Sequence, residues 1–305
     1  MMTEITIMGT GAMAMLMGGR LAKRGVKVHF LGTWKESIAA VNKEGICVIE
    51  DGSPRYYPAE AFLDPAQLRG TSLALVLVKS WQTERAARQL SEVLAEDGVA
   101  LTLQNGLGNG ETLGAVLGQD RTALGVTTYG ATSLGPGKVR PGGEGIISVG
   151  EHPKISALIN LLQLGGFTVQ QTEDLSGLIW GKLVINVAIN PLTGLLGVKN
   201  GELLESPAVT RLMGMAAREA AEVARKLGVP ISFSDPAQAA ETVAAATREN
   251  LSSMLQDIRR GAPTEIDALC GAVVRQGKKL GVPTPVNEIL ALLIQGKVDL
   301  SRKEE

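Results

Sequence analysis

Residues 5–14, with the sequence ITIMGTGAMA, decide the fold of this 305-residue chain. The run Ile5–Met8 predicts a buried strand, and the glycine turn Gly9-Thr10-Gly11 leads from it directly into an apolar helix. One glycine permits the tight turn, the next lets the backbone approach a pyrophosphate, and the helix N-terminus supplies amide groups and a positive dipole end. Ala14 stands where a third glycine often lies. A tight turn without a ligand is the alternative, but we expect a dinucleotide site at Gly9, Thr10, Gly11, Ala12, Met13 and Ala14.

Further apolar runs continue this alternation of strand and helix over the first 128 residues. Strands are predicted at Ile5–Met8, Val26–Leu31, Leu73–Val78 and Val99–Leu103, and helices at Ala12–Lys23, Gln82–Ala95 and Asn109–Leu117. Their continuous apolar character indicates burial on both faces, as in a parallel sheet covered by helices. The fold class predicted is α/β, with an N-terminal Rossmann-type doubly wound sheet over residues 1–171.

Strand signals stop after about residue 172, so residues 172–305 predict a C-terminal all-helical domain. Helices are expected to begin after Asp174, Ser206, Thr264 and Thr284. The first should end at Asn190, because Pro191 disfavours helical geometry at the residue before it. The third should run from the Thr264 cap to Gly281.

Composition narrows the classes of function. The chain has 30 Lys and Arg against 31 Asp and Glu, a net charge of −1, which is too small to attract nucleic acid or anionic lipid. Cys47 and Cys270 are far apart and outside any CxxC pattern, so neither a disulfide framework nor a zinc site is indicated. The histidines are His29 and His152, so side chains that could bind a metal are few. We expect a soluble cytoplasmic protein without a metal, a nucleic-acid partner or a membrane partner. The oligomeric state stays open, a homodimer included.

The end of the second predicted strand bears on which nucleotide binds. An NAD enzyme would place an acid here for the ribose 2′-hydroxyl, but the chain continues Gly32-Thr33-Trp34-Lys35 without a carboxylate. Thr33 and Lys35 could instead receive a 2′-phosphate, which favours NADP(H) over NAD. The alternative is that Lys35 is a solvated surface lysine.

A polar stripe on an otherwise apolar helix is the most informative feature of the sequence. In residues 178–191, LIWGKLVINVAINP, the charged and amide side chains are Lys182, Asn186 and Asn190. They lie four apart and cover about 80° of one helix face. Buried polar groups must meet partners or a ligand, and desolvation would lower the pKa of a buried lysine enough to make it a general acid near neutral pH. A snorkelling lysine beside two asparagines bonded to backbone is the alternative.

Three other stretches carry candidate site residues. Glu265 could pair with Lys182 across a cleft and hold its ammonium, although Glu265 and Asp267 could equally serve a helix N-terminus after Thr264. The other two stretches are KSWQ, residues 79–82, and LQNGLG, residues 103–108. Both lie at carboxyl ends of predicted strands, where open α/β sheets bind ligands. Ordinary turn and capping chemistry is their alternative.

With these residues in view, the chain resembles the ketopantoate reductase (2-dehydropantoate 2-reductase) family over nearly its whole length. The resemblance rests on GTGAMA, VKSWQ, LQNGLG, KLVINVAINPLTGL with the following NGEL, and SSMLQDIRRGAPTEID. It implies NADPH-dependent reduction of ketopantoate to pantoate in pantothenate (coenzyme A) biosynthesis. It also implies that Lys182 is the proton donor and that Glu265 is the acid working beside it.

The resemblance assigns further roles position by position. Substrate oxygens would be bound by Asn186, Asn190, Asn200, Asn250 and Ser253. Asn105 would contact the nicotinamide end of the cofactor, Ala131 would offer a backbone contact, and Lys79 would lie on the adenosine side. Thr33 departs from the family, since an arginine often grips the 2′-phosphate there, and Lys79 and Lys35 are the candidate replacements.

Together these features predict a reductase with its site in a cleft between the two domains, where nicotinamide delivers hydride and Lys182 delivers the proton. A reductase of the same architecture acting on another short 2-keto acid is one alternative. A non-catalytic NADP(H)-binding sensor is another, but it would have no need for the polar stripe or for Glu265.

Overall fold

The computed structural model of the protein describes residues 3–301, which fall into two compact units. Up to residue 175 the chain belongs to the first unit, except that residues 105–108 group with the second, which continues from residue 176. All strands of the described chain precede residue 173, and every later element is helical. The predicted α/β class with a C-terminal helical region is confirmed.

The first unit contains twelve strands and five α-helices within the described residues. The strands are β1 (Glu4–Met8), β2 (Lys27–Leu31), β3 (Ile46–Glu50), β4 (Ser53–Tyr57), β5 (Glu60–Phe62), β6 (Thr71–Val76), β7 (Leu94–Thr102), β8 (Thr122–Thr127), β9 (Ala131–Gly135), β10 (Lys138–Pro141), β11 (Ile146–Gly150) and β12 (Thr168–Thr172). The helices are α1 (Ala12–Ala22), α2 (Lys35–Glu44), α3 (Thr83–Val93), α4 (Asn109–Leu117) and α5 (Ser156–Leu164).

Eight of these strands form one sheet in the order β12-β11-β8-β7-β6-β1-β2-β5. Strand β1 pairs in parallel with β2 on one side and with β6 on the other, so that Ile7 lies opposite both Phe30 and Leu75. The strand order therefore reverses at β1, and the carboxyl end of β1 is the topological switch point at which open α/β sheets bind ligands. Strand β11 pairs antiparallel with β8 and parallel with β12, so β11 and β12 run opposite to the other six strands of this sheet.

A second sheet, in the order β4-β3-β10-β9, was not predicted from the sequence. Its inner strand β3 contributes the buried residues Ile46 and Val48, whereas β4 is largely exposed. Strand β3 pairs with β10 through Val48 and Val139, which are far apart in the chain. Such a pairing leaves no local periodic signal that sequence inspection could detect.

Over the described residues, the second unit contains six α-helices that pack around an apolar core. They are α6 (Leu175–Leu196), α7 (Pro207–Lys226), α8 (Pro236–Ala246), α9 (Ser253–Arg259), α10 (Cys270–Leu280) and α11 (Pro285–Ser301). Helix α6 supplies the fully buried Val184, Val187 and Ala188 to this core. The core fixes the axis of α6, and with it the direction of any polar side chain on that helix.

Helix α6 is also long and apolar enough to span a membrane by length and composition. Its most apolar 18-residue window has a mean hydropathy of 1.3, and 61% of that window is buried inside the protein. Buried core helices of globular proteins have the same composition. The burial of α6 within the second unit accounts for its hydropathy.

The prediction that this helix ends at Asn190 is wrong, because α6 passes through Pro191 to Leu196. A proline inside a helix loses one backbone hydrogen bond and costs about 3 kcal/mol or more. Here the turn beyond it is buried, with Leu192 and Thr193 almost inaccessible, and the Thr193 hydroxyl donates to the carbonyl of Asn190 at 3.0 Å. Burial of this last stretch offsets the cost of the proline.

The prediction that Thr264 caps a helix to Gly281 is wrong at its start, because α10 begins only at Cys270. Residues 265–269 form a turn in which the amide of Leu269 donates to the carbonyl of Glu265 at 3.1 Å. The Ala268 carbonyl is taken by the amide of Leu107 at 3.0 Å, from a distant part of the chain. That tertiary hydrogen bond diverts the backbone from helical geometry, so Glu265 does not lie in the first turn of a helix.

Candidate active site

The glycine turn after β1 has the geometry that a dinucleotide phosphate requires. Gly9 has φ +106° and donates its amide to the carbonyl of Leu31 at 2.7 Å. A Cβ on Gly9 would lie 3.2 Å from the amide nitrogen of Val78, so both its conformation and its surroundings favour glycine. Gly11, at the N-cap of α1, is exposed, and a Cβ there would meet nothing within 4 Å. Space is therefore open in front of the first amides of α1, where an anion is favoured.

The other members of the predicted fingerprint act through their backbone. Thr10 is 5% exposed, and its carbonyl accepts a hydrogen bond from the Ser37 hydroxyl at 3.4 Å. Ala14 is fully buried, while Ala12 and Met13 are half-buried and pack against the core of the first unit. Their side chains fix the start of α1, and the backbone amides remain as the groups that could bind phosphate.

The end of β2 lies beside an arginine that sequence inspection missed. Thr33 follows β2 and is exposed, and Lys35 begins α2 and is exposed as well. Arg85, from α3, donates a hydrogen bond from Nη2 to Thr33 Oγ1 at 3.4 Å. The two residues are 52 positions apart, so only the fold brings them together.

Two further residues that the family resemblance assigns to the cofactor also belong to the first unit. Lys79 is half-buried and precedes the short 3₁₀ helix Ser80–Gln82, just beyond β6. Ala131 is the first residue of β9 and pairs with Pro141 of β10.

The predicted polar stripe lies on a single continuous helix, α6. Lys182 and Asn186 are half-buried, and Asn190 is 7% exposed. Between them, Leu183 and Val187 point into the apolar core. The stripe is therefore a row of polar groups on a helix whose other faces are packed.

Lys182 is held in an environment that disfavours its charge. Desolvation by the surrounding protein lowers the pKa of Lys182 from 10.5 to about 8, and the nearby Glu265 carboxylate opposes this by raising it. Part of the residue nevertheless keeps accessible surface. The ammonium is thus mostly protonated at neutral pH and more acidic than an ordinary lysine, as a general acid requires.

Because the pKa of Lys182 is lower in the folded state, the unfolded chain binds more protons between about pH 8 and pH 10.5, and stability rises with pH over that window. At neutral pH the buried ammonium therefore costs stability. We expect the free energy of unfolding of the unmodified protein to rise by about 1–3 kcal/mol from pH 7 to pH 10.5, and this rise to be absent in Lys182→Met. Urea denaturation at both pH values measures this. Lys278→Met, on the exposed lysine paired with Glu288, is the control and should leave this rise in place. A rise of the same size in Lys182→Met would contradict the pKa argument.

The turn that carries Glu265 is fastened to the segment that carries Asn105. Glu265 is 6% exposed, and Asn105 is half-buried. Gly106 has φ +82°, and a Cβ there would lie 2.4 Å from the Ala268 carbonyl oxygen, a contact that any larger residue would prevent. Together with the hydrogen bond from Leu107 to Ala268, this close approach joins residues 105–108 to the turn 265–269. Sequence inspection identified both stretches but not their contact.

The three remaining candidate substrate residues lie around the start of α9. The amide of Asn200 donates to the carbonyl of Asn250 at 3.0 Å, and Asn200 Nδ2 donates to Thr247 Oγ1 at 2.8 Å. Asn200 is 8% exposed, and its Oδ1 has no hydrogen-bond partner within the described part of the chain. Asn250 is exposed, and Ser253 is half-buried. A buried carbonyl oxygen without a partner is costly, so Asn200 Oδ1 is available to accept from a ligand.

A hydrogen bond also connects α6 to the start of α9. Thr193 Oγ1, three residues beyond Asn190, and Ser252 Oγ are joined by a hydrogen bond of 2.6 Å, and Ser252 Oγ accepts from the amide of Leu255 at 3.1 Å. Ser252 is therefore the capping residue of α9, which leaves the hydroxyl of Ser253 outside the cap. The structure thus brings the α6 stripe, the Glu265 turn and the start of α9 together within one unit.

Over residues 3–301, the structure contains no group of three or more His, Cys, Asp or Glu side chains that could hold a metal ion.

Comparison with known protein families gives matches over both units. Residues 5–154 match the sequence profile described as "Ketopantoate reductase PanE/ApbA". Residues 174–298 match the profile described as "Ketopantoate reductase PanE/ApbA C terminal".

Individual proteins match over nearly the whole chain. The 2-dehydropantoate 2-reductase of Halobacterium salinarum is 35% identical over 298 residues, covering 96% of this chain and 98% of its own length. The 2-dehydropantoate 2-reductase of Archaeoglobus fulgidus is 34% identical over 299 residues, covering 96% of this chain and 97% of its own length. Among solved structures, a PanE/ApbA family ketopantoate reductase from Ralstonia eutropha JMP134 superposes with a TM-score of 0.91 at 31% identity, covering 98% of this chain and 100% of that one. D-mandelate dehydrogenase with NADH and anilino(oxo)acetate superposes with a TM-score of 0.90 at 25% identity, covering 97% of this chain and 98% of that one.

Proposed function

Because the chain belongs to the ketopantoate reductase family, we propose that it reduces the keto group of ketopantoate to the alcohol of pantoate, with NADPH as the reductant. The observation that carries the proposal is Lys182, an acidified ammonium on an otherwise apolar helix beside the Glu265 carboxylate. A structural lysine would not need this arrangement, which costs stability.

The residues of the first unit fit the nucleotide. The backbone at Gly9, Gly11 and the first turn of α1 would hold the pyrophosphate, and no acidic residue lies in that turn to repel it. The absence of a carboxylate at Thr33 fits a 2′-phosphate better than a free 2′-hydroxyl. Bound NADPH supplies the hydride that the keto carbon accepts.

Lys182 supplies the proton. As the keto carbon becomes tetrahedral, negative charge develops on its oxygen, and the Lys182 ammonium stabilises that charge and transfers a proton from Nζ to the oxygen. The lysine is left as a neutral amine and regains its proton from solvent. A pKa of about 8 makes the transfer easier than from an ordinary lysine while keeping most of the side chain protonated at pH 7.

Glu265 keeps the donor charged. Its carboxylate raises the pKa of Lys182 against the effect of burial, and it belongs to a turn fixed through Ala268 to Leu107. The carboxylate therefore sets both the charge state and the position of the ammonium.

The amide side chains would bind and orient the substrate. Asn186 and Asn190 project from the same face of α6 as Lys182 and can donate N–H groups to a carboxylate. Asn200 Oδ1 can accept a hydrogen bond from the substrate hydroxyl, and Asn250 and Ser253 lie close in sequence at the start of α9. Orienting the keto carbon in this way converts binding energy into rate.

Another 2-keto acid is the second candidate substrate, and one observation favours it. D-mandelate dehydrogenase shares this fold at 25% identity, so the architecture alone does not fix the substrate. The direct test follows nicotinamide absorbance with ketopantoate, pyruvate, 2-ketoisovalerate and the 2-keto acid that corresponds to mandelate, each with NADPH and with NADH.

We expect kcat/KM to be highest for ketopantoate with NADPH, by about 100-fold over the other acids, because a site that hydrogen-bonds the substrate hydroxyl rejects analogues that lack it. A higher value for another acid would replace ketopantoate as the substrate. NADPH binding without oxidation by any of these acids would support a non-catalytic sensor instead.

We further propose that the protein acts in the cytoplasm on its small-molecule substrate, without a nucleic-acid or membrane partner. The free, buried Cys47 and Cys270 and the net charge of −1 support this proposal.

A further inference from the structure

The end of β2 lacks both of the groups that usually select the nucleotide at this place. Thr33, just beyond Leu31, is neutral, so it offers neither the negative charge that a carboxylate presents to a ribose 2′-hydroxyl nor the positive charge that an arginine presents to a 2′-phosphate. The side chain that reaches Thr33 comes from α3, since Arg85 Nη2 lies 3.4 Å from Thr33 Oγ1. A guanidinium is therefore present at the expected place, but it is contributed by another element.

Arg85 differs from its neighbour on the same helix in having no carboxylate partner. Among residues 3–301, Arg85 makes no ion pair within 4 Å, and its guanidinium donates to the neutral Thr33 hydroxyl. Glu84 pairs instead with Arg88, one turn further along α3. The charge of Arg85 is thus left available to an anion at the end of β2.

The helix that carries Arg85 is firmly anchored. Thr83, Ala86 and Ala87 of α3 are buried, and Thr83 Oγ1 donates to Asn109 Oδ1 at 2.9 Å while it accepts from Gln104 Nε2 at 2.8 Å. Arg85 extends from the exposed side of this fixed first turn. A guanidinium on a fixed base loses less conformational freedom when it binds a ligand.

We propose that Arg85, together with the Thr33 hydroxyl, binds the 2′-phosphate of NADPH and gives this chain its preference for NADPH over NADH. The inference rests on the proposed function. The planar fork of the guanidinium matches two phosphate oxygens, and the Thr33 hydroxyl can turn to donate to a third. Lys35, at the start of α2, and Lys79, before the short helix Ser80–Gln82, are the other candidate cations, and the binding test distinguishes them from Arg85.

Direct binding tests the inference without relying on turnover. The dissociation constants of NADPH and NADH are measured on the full-length protein by nicotinamide fluorescence, and those of 2′,5′-ADP and 5′-AMP by calorimetry. Arg85→Ala should weaken NADPH and 2′,5′-ADP by about 10- to 100-fold, the range expected when a hydrogen-bonded charge is removed, and leave NADH and 5′-AMP within twofold.

Arg88→Ala is the matched control, because it removes an exposed arginine from the same helix. It should change none of the four dissociation constants by more than twofold. Thr33→Arg in the Arg85→Ala background should recover at least tenfold of the lost NADPH affinity, because it places a guanidinium at the same point from β2.

Three results would overturn the inference. NADPH affinity that stays within twofold in Arg85→Ala, while Lys35→Ala or Lys79→Ala weakens it, would assign the phosphate to those lysines. Equal loss of NADPH and NADH in Arg85→Ala would indicate a structural role. Failure of the unmodified protein to bind either nucleotide would contradict the proposed function itself. This result is seen without any variant, so it is distinguishable from a failure of the Arg85 inference alone.

Discussion

Lys182→Ala should lower kcat by about 10²- to 10⁴-fold, the range that a positioned general acid contributes. The loss comes from two sources: no ammonium stabilises the developing alkoxide, and no group within the site protonates it. Affinity for NADPH should stay within a few-fold, because the glycine turn that would hold the nucleotide is formed entirely by β1 and α1. Steady-state turnover of ketopantoate and fluorescence titration of NADPH measure the two effects separately.

Lys278→Ala controls for the loss of a lysine from the helical unit. Lys278 is exposed and paired with Glu288, so its removal should leave kcat unchanged. Near-normal turnover in Lys182→Ala would remove Lys182 from the mechanism. A large loss of NADPH affinity would instead indicate that this substitution disturbs the nucleotide site.

Glu265→Gln should lower kcat/KM at pH 7 by about tenfold and move its alkaline limb to lower pH. The amide keeps the shape of the carboxylate but removes the charge that raises the pKa of Lys182. With desolvation unopposed, the lysine pKa falls further below its value of about 8, so less of the protein carries the proton at neutral pH. The measurement is kcat/KM for ketopantoate from pH 6 to pH 10 at saturating NADPH.

Asp267→Asn is the matched control for the Glu265 substitution. Asp267 is an exposed carboxylate two residues further along, and it is bound by Gln295 at 2.7 Å rather than facing Lys182. The alkaline limb of kcat/KM in Asp267→Asn should coincide with that of the unmodified protein. An unshifted limb in Glu265→Gln would show that this carboxylate does not set the protonation of the lysine.

Those parts of the site that depend on local chemistry could be predicted from the sequence. Gly9 adopts a positive φ, and a Cβ on Gly11 would meet nothing within 4 Å. Both properties are expected of glycine in such a turn. The stripe at Lys182, Asn186 and Asn190 follows from the helical period alone.

Contacts between distant segments could not be predicted in this way. The hydrogen bond from Arg85 to Thr33 and the one from Leu107 to Ala268 depend on how separate elements pack, which leaves no periodic signal. The same holds for the second sheet, where β3 pairs with β10.

Two local rules failed where tertiary structure outweighed them. Pro191 did not end α6, because the buried turn that includes Leu192 stabilises the helix beyond it. Thr264 did not begin α10, because the Ala268 carbonyl is bound by residues 105–108. Both failures lie next to candidate site residues, Asn190 and Glu265, whose positions depend on the same packing.

The claim on which the mechanism depends is that the proton comes from an amine acidified by burial. The pH dependence of kcat/KM for the unmodified protein, measured at saturating NADPH, tests this most directly. It reports the pKa of the essential acid in the enzyme before ketopantoate binds. We predict a constant value up to about pH 7 and a fall of about tenfold per pH unit above the Lys182 pKa of about 8. A value of kcat/KM that stays constant to pH 10 would contradict the account.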